Sequence, residues 1–170
     1  CRCVLPLFIF QSSFFIIQYL LPFRSETESM MSPFHSRRQF LGSATAGVGA
    51  AALATVLRFR YGVDVSERLV AEAMLRIGDA EAIRRQGGFS FLDLKRFAQS
   101  LGFHAEGLKL ANVGELRRYK HAIIPILEFG RQQHFIVVRA YTPAGDFDIG
   151  DPAFGNRRVS DDDLEELWTS

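Results

Sequence analysis

Two stretches in the middle of the chain place apolar residues with the period of an amphipathic helix. The first follows Ser66, whose side chain is suited to an N-cap, and ends at Gly78. The second follows Ser90, which together with Asp93 matches a capping box, and ends at Gly102. Two helices that each bury one face are therefore predicted, and their apolar positions are Leu69, Val70, Ala73, Met74 and Ile77, then Leu94, Phe97, Ala98 and Leu101.

Two further helices are predicted on either side of this region. Residues 51–60 contain good helix formers and are followed by Gly62. Near the end of the chain, Ser160 can cap the helix "DDDLEELW". The acidic first turn of that helix suits the positive end of the helix dipole, which strengthens the prediction.

Four runs of β-branched and aromatic residues predict strands. They cover residues 104–110, 122–127, 135–140 and 146–149. Pro125 lies inside the second run and indicates an unpaired edge or a bulge, because proline has no amide hydrogen to donate. Helices followed by mostly antiparallel strands are typical of an α+β domain rather than a doubly wound α/β sheet.

Composition and charge narrow the classes of function. Of 170 residues, 48% are hydrophobic and 23% are charged, which is enough to fill and cover a core. The formal net charge is +1 and the chain has no basic patch with interleaved aromatics, so no nucleic-acid partner is predicted. The only cysteines are Cys1 and Cys3, which excludes a cysteine-based zinc site from the globular part. His104, His121 and His134 are too far apart in sequence for a ligand motif, so neither a metal nor a cofactor is expected.

Residues 1–30 differ from the rest of the chain. The stretch 4–23, "VLPLFIFQSSFFIIQYLLPF", carries no charge and lies between two arginines. A helix of this length would extend about 30 Å, the thickness of the hydrocarbon core of a bilayer. The segment therefore predicts a membrane span. The alternative is an over-extended gene model, because the chain begins with cysteine and the methionine pair at residues 30–31 offers a natural start.

Residues 31–47 form a second distinct region. Within the stretch 36–54, "SRRQFLGSATAGVGAAALA", Arg37 and Arg38 precede a weakly hydrophobic run rich in glycine and alanine. This pattern resembles a twin-arginine export signal and predicts a bacterial protein that is exported or membrane-associated. In the competing interpretation the alanine-rich run is the first helix of the globular domain, and cleavage near Ala54 would distinguish the two.

Candidate chemistry begins with His134, which stands at the start of the otherwise buried strand pattern "HFIVV". A histidine in this place either caps the strand end or acts as a general base. Just after the next predicted strand, Asp151 precedes Pro152, which restricts Asp151 to extended conformations and so fixes the direction of its carboxylate. Asp151 is either a turn residue or the group that orients the His134 imidazole, as in a catalytic triad.

Four stretches together resemble the bacteriocin-processing cysteine peptidases, papain-like domains that cut double-glycine leader peptides and are often found at the N-terminus of ABC exporters. They occur in the family's order and spacing over about residues 48–168: "GAAALATVLRFRYGVDVSE", "GGFSFLDLKRFAQSLGFHAEGLKL", "HAIIPILEFGRQQHFIVVRAY" and "DIGDPAFGNRRVSDDDLEELW". The resemblance implies a papain-like α+β fold for residues 48–170, with N-terminal helices packed on an antiparallel sheet. It also implies that His134 is the catalytic base, that Asp151 orients it, and that a leader peptide and an ABC exporter are the partners.

The nucleophile position departs from the family pattern. The family carries Cys-Gly-Ala-Ala at its first helix, and here Val48 stands where the cysteine would be. We expect Val48 at the N-terminus of the first helix, facing His134 across a groove. Valine has no ionisable proton and cannot attack a carbonyl. The nearest upstream glutamine, Gln39, belongs to the "SRRQFL" stretch, so the family's oxyanion-stabilising role is not carried over to it.

Three functions stay open from the sequence. The first is a peptidase-family domain that binds leader peptides without cleaving them. The second is an active cysteine peptidase whose N-terminal part is misassigned. The third is an exported interaction module without enzymatic activity.

Overall fold

The computed structural model describes residues 13–19, 44–128 and 132–169. The helices of this part of the chain are α1 (Ala44–Tyr61), α2 (Glu67–Ile77), α3 (Ala80–Gln86), α4 (Phe91–Ser100) and α5 (Asp161–Thr169), with a 3₁₀ helix at Val113–Arg118. The strands are β1 (Ser13–Tyr19), β2 (Phe103–Lys109), β3 (Ala122–Glu128), β4 (Gln132–Tyr141), β5 (Phe147–Asp151) and β6 (Gly155–Val159).

All six strands form one antiparallel sheet in the order β2-β1-β3-β4-β5-β6. Helices together with an antiparallel sheet confirm the predicted α+β class. β1 pairs with β3 at one position, Phe15 with Ile123, two residues before Pro125. This agrees with the unpaired edge that the proline predicted, since Pro125 lies beyond the paired position.

Alternation along β4 divides the core into two clusters, one on each face of the sheet. Phe135 and Val137 belong to the cluster that contains the buried residues of α1, α2 and α4. Ile136 and Val138 belong to the cluster that contains residues of the 3₁₀ helix and α5. The strand is therefore covered on both faces, which explains why its interior is apolar at every position.

The amphipathic helices form where their capping signals predicted them. The Ser66 side chain accepts a hydrogen bond from the Leu69 amide, and Ser90 and Asp93 form a reciprocal capping box. One apolar position differs from the prediction. Ile77 is 44% exposed, because it is the last residue of α2 and extends beyond the region where the helix packs.

The first helix begins at Ala44, seven residues earlier than the sequence predicted. The alanines and leucines of residues 50–57 are buried in the core, with Leu53 and Leu57 fully covered. Small side chains let a helix approach a sheet closely, and this explains the alanine-rich composition. Residues 44–54 of the signal-like stretch thus lie in a core helix, as the competing interpretation predicted, while Arg37 and Arg38 lie outside the described residues.

The apolar N-terminal segment contributes β1, which pairs with β2 from Ser13 to Tyr19. Only residues 13–19 of the stretch 4–23 belong to the described part, and there the backbone is a strand rather than the predicted helix. Within the described ranges, no helix combines the length and apolar character that crossing a bilayer requires. The membrane span and the division of the N-terminal regions stay predictions.

Candidate active site

The sheet topology brings the two candidate residues to the same end of two neighbouring strands. His134 lies near the start of β4 and Asp151 is the last residue of β5. The strands pair antiparallel, with Val137 opposite Gly150, so the start of one lies beside the end of the other. The prediction that His134 and Asp151 occupy adjacent strands is confirmed.

The two side chains form a buried hydrogen bond. The distance from His134 Nε2 to Asp151 Oδ1 is 2.7 Å. Only 8% of the histidine side chain and none of the aspartate side chain is exposed. Because an ionised carboxylate can only accept, Nε2 carries the shared proton, and Nδ1 of a neutral imidazole is left as the proton acceptor. The predicted hydrogen-bond distance between the two groups is confirmed, and it orients the ring as a general base requires.

Both oxygens of Asp151 are occupied. Oδ1 also accepts from the backbone amides of Ala153 at 2.9 Å and Phe154 at 3.2 Å. Oδ2 accepts from the Arg157 guanidinium at 3.1 Å. Burial alone would raise the pKa of Asp151, but the hydrogen bonds from His134 and the two amides outweigh burial and lower this pKa from its ordinary value of 3.8. Asp151 is therefore ionised at neutral pH.

Sequence reasoning missed Arg157 and Phe154, which belong to the hairpin between β5 and β6. In this hairpin Asp151 pairs with Gly155, whose φ of 81° permits the tight turn. The Phe154 ring lies 6.2 Å from the His134 ring, centroid to centroid, and Phe154 is 57% exposed. The one signal available in the sequence was the turn composition "DPAFGN", which could have indicated that the following residues fold back over Asp151.

Val48 was expected at the N-terminus of the first helix, but it lies in the second turn of α1, because the helix begins at Ala44, four residues before Val48. The residue is half-buried and packs against the helix-side core. Its neighbour Gly49 lies close to β4: a Cβ added there would be 3.7 Å from Cδ2 of Phe135, the residue after His134. The second turn of α1 therefore packs against Phe135, on the face of β4 that carries the helix-side core. A groove with Val48 and His134 on opposite sides stays a prediction.

The other two histidines of the described residues lie elsewhere in the fold. His104 is on β2, with its Nε2 3.1 Å from Glu106 Oε1, and His121 precedes β3 with a φ of 62°. Among residues 13–19, 44–128 and 132–169, no three His, Cys, Asp or Glu residues are grouped as metal ligands.

Comparisons with known proteins identify a matching family model and two similar curated proteins. The model of the peptidase C39 family matches residues 43–170. Two curated proteins named "Probable functional amyloid protease FapD", from Pseudomonas fluorescens and Pseudomonas aeruginosa, are 40% and 37% identical over 120 residues. Each alignment covers 71% of this chain and 52% of the relative, so the chain spans about half the length of these relatives.

A solved structure shares the fold. It is the crystal structure of a double-glycine motif protease from an AMS/PCAT transporter in complex with the leader peptide. The superposition has a TM-score of 0.54 at 21% sequence identity and covers 81% of this chain and 85% of the other. The predicted papain-like arrangement of helices on an antiparallel sheet is therefore confirmed.

Proposed function

The chain belongs to the peptidase C39 family, and on that premise we propose that it binds double-glycine-type peptides at the His134–Asp151 site without cleaving them. The buried hydrogen bond between the two side chains carries this proposal, because it retains the base and the group that orients it. Residue 48, where the family's pattern places a cysteine, is valine.

The retained pair has a defined chemical capacity. Nδ1 of His134 can accept a proton from a nucleophile, and the ionised Asp151 stabilises the imidazolium that forms. A cysteine peptidase uses a thiolate to attack the carbonyl carbon, and the isopropyl group of Val48 has no lone pair to supply. The site can therefore hold a peptide near the base, but no acyl intermediate forms at residue 48.

The choice of ligand follows from the comparisons. The solved neighbour holds a leader peptide, which makes a double-glycine leader the first ligand to test. The curated relatives are named as amyloid proteases, so a segment of a functional amyloid subunit is the second. An exporter partner, membrane association through residues 4–23 and export through residues 31–47 stay predictions.

Substitution of Val48 with cysteine tests the proposal. We expect the unmodified chain to bind a fluorescent double-glycine peptide in an anisotropy titration and to leave it intact by mass spectrometry. In V48C, we expect iodoacetamide to alkylate the new thiol near pH 7 faster than Cys1 and Cys3, because the imidazole favours the thiolate. The control V48C/H134A should lose that excess rate.

Three results would contradict the proposal. Cleavage of the peptide by the unmodified chain would show that another residue attacks the carbonyl. A V48C thiol that reacts no faster than Cys1 and Cys3 would show that residue 48 is not the nucleophile position. Absence of binding to both peptides would remove the proposed ligand class.

A further inference from the structure

Phe154 presents an apolar ring to solvent beside the candidate base. It is 57% exposed, while its ring centroid lies 6.2 Å from that of His134 at an interplanar angle of 62°. Single exposed apolar side chains are common on protein surfaces, but one that lies beside a candidate base can be covered favourably by a ligand bound at that base.

Hydrogen bonds to the Asp151 carboxylate hold the backbone of the turn that carries Phe154. Its backbone amide donates to Asp151 Oδ1 at 3.2 Å, and the amide of Ala153 donates to the same oxygen at 2.9 Å. The turn that carries the ring is thus anchored on the carboxylate that orients His134. An aromatic side chain has only two rotatable torsions and loses little conformational entropy when a ligand packs on it, which suits a recognition residue.

We propose that Phe154 forms the subsite for an apolar side chain directly after the double glycine of a bound peptide. This inference rests on the proposed function, because it assigns specificity within the same site. It concerns the residues on the amine side of the peptide bond that an active relative would cut.

The direction of proton transfer determines which side of the scissile peptide bond lies next to His134 and Phe154. In acyl transfer the carbon–nitrogen bond breaks, and the departing amine nitrogen takes its proton from the histidine. The amine side of the bond therefore lies next to the imidazole. Since Phe154 is beside that ring, the first side chain after the bond is the part of the peptide within its reach.

The chain offers a matched control in Phe59. This ring is 82% exposed near the C-terminal end of α1, whereas Phe154 lies in the turn between β5 and β6. Replacing either phenylalanine with alanine removes the same atoms from an exposed position. A difference between F154A and F59A therefore reports on location rather than on the loss of an exposed ring.

The test compares two fluorescent double-glycine peptides that differ only in the residue after the glycines, leucine or asparagine. We expect the unmodified chain to bind the leucine peptide about fivefold more tightly, since covering about 40 Å² of apolar surface at about 25 cal/mol per Å² gives that factor. In F154A the ratio of the two Kd values should fall to about one. F59A should keep the ratio, and so should F154L, which retains an apolar side chain.

The outcomes separate this inference from the proposed function. Equal affinity of the unmodified chain for the two peptides, or an unchanged ratio in F154A, would overturn the role of Phe154 and leave peptide binding intact. Failure of both peptides to bind would overturn the proposed function and this inference with it. The urea midpoint of F154A, read from Trp168 fluorescence, checks that the variant is folded.

Discussion

Replacing Asp151 with asparagine removes the charge at the centre of the site while keeping the size of the side chain. The carboxylate is fully buried and accepts from four donors: His134, Arg157 and two backbone amides. Asparagine can still accept at Oδ1, but its amide group then faces the Arg157 guanidinium, so two donors meet. The site loses one hydrogen bond to a charged group and weakens another.

The magnitude follows from these contacts. A hydrogen bond to a charged group contributes about 1.5–3 kcal/mol net, and a neutral one about 1 kcal/mol. The Arg157 side chain is 36% exposed, so solvent screens its part of the loss. We expect D151N to lower the free energy of unfolding by about 2–3 kcal/mol, which leaves a domain of ordinary stability folded.

Urea unfolding followed by tryptophan fluorescence measures this loss. Trp168 is the only tryptophan of the chain and is 4% exposed, so its emission reports unfolding. The control is D148N on the same strand, where Asp148 is partly exposed and lies 3.8 Å from Arg139. We expect D148N to change stability by less than about 0.5 kcal/mol. If D151N lowers the free energy of unfolding by no more than D148N does, the buried Asp151 carboxylate does not stabilise the fold through its hydrogen bonds.

The difference in stability between wild type and D151N should depend on pH, and the direction of this dependence follows from the pKa of Asp151. The pKa of Asp151 is lowered in the folded protein, through hydrogen bonds that outweigh burial, from an ordinary value of 3.8. Its contribution to stability is therefore complete above that ordinary value and is lost as the pH falls through the lower pKa of the folded state. The stability difference between wild type and D151N should narrow over that acidic range. A difference independent of pH would contradict the charge as its cause.

Two further substitutions test the surroundings of the site. R157Q removes the cation 3.1 Å from Asp151 Oδ2, so we expect the pKa of Asp151 to rise and acid unfolding to begin at a higher pH. R157K keeps the charge and should show a smaller change. R158Q removes an exposed neighbouring charge and should leave acid unfolding unchanged. S90A removes the two hydrogen bonds that the Ser90 hydroxyl makes with the buried Asp93, one accepted from the Asp93 amide and one donated to its carboxylate, while the Ser90 backbone amide still donates to Asp93. We expect a loss of about 1–2 kcal/mol in urea unfolding, and a loss below about 0.3 kcal/mol would contradict the importance of the cap.

Local signals allowed most helices to be predicted from the sequence. The caps at Ser66, Ser90 and Ser160 accept hydrogen bonds from amides three residues ahead, so their geometry depends on a few neighbouring residues. The strand candidates were found for the same reason, because alternation and β-branching are local. Boundaries were less accurate, and α1 begins at Ala44 because tertiary packing favours a helix through its small residues.

Elements without a strong local pattern were missed. β6, residues 155–159, reads as a polar turn region, and it is a strand because β5 offers an edge to pair with. The stretch 4–23 was interpreted either as a membrane span or as part of an over-extended gene model, and no strand was predicted there, whereas residues 13–19 form a strand by pairing with β2. Pairing partners come from distant parts of the chain, so sequence periodicity does not identify them.

The sequence by itself determined that His134 and Asp151 are the chemical candidates and that residue 48 carries no thiol. These conclusions depend on residue types and their order, which the sequence states directly. The tertiary structure alone decided how the carboxylate is held and what surrounds the base. Arg157 and Phe154 come to the site because the β5–β6 hairpin folds back over Asp151. Because the Asp151 carboxylate is buried away from water, each hydrogen bond that it accepts contributes to its stability. Hydrogen bonds and burial arise only when strands distant in sequence pack together, so no local pattern could have revealed them.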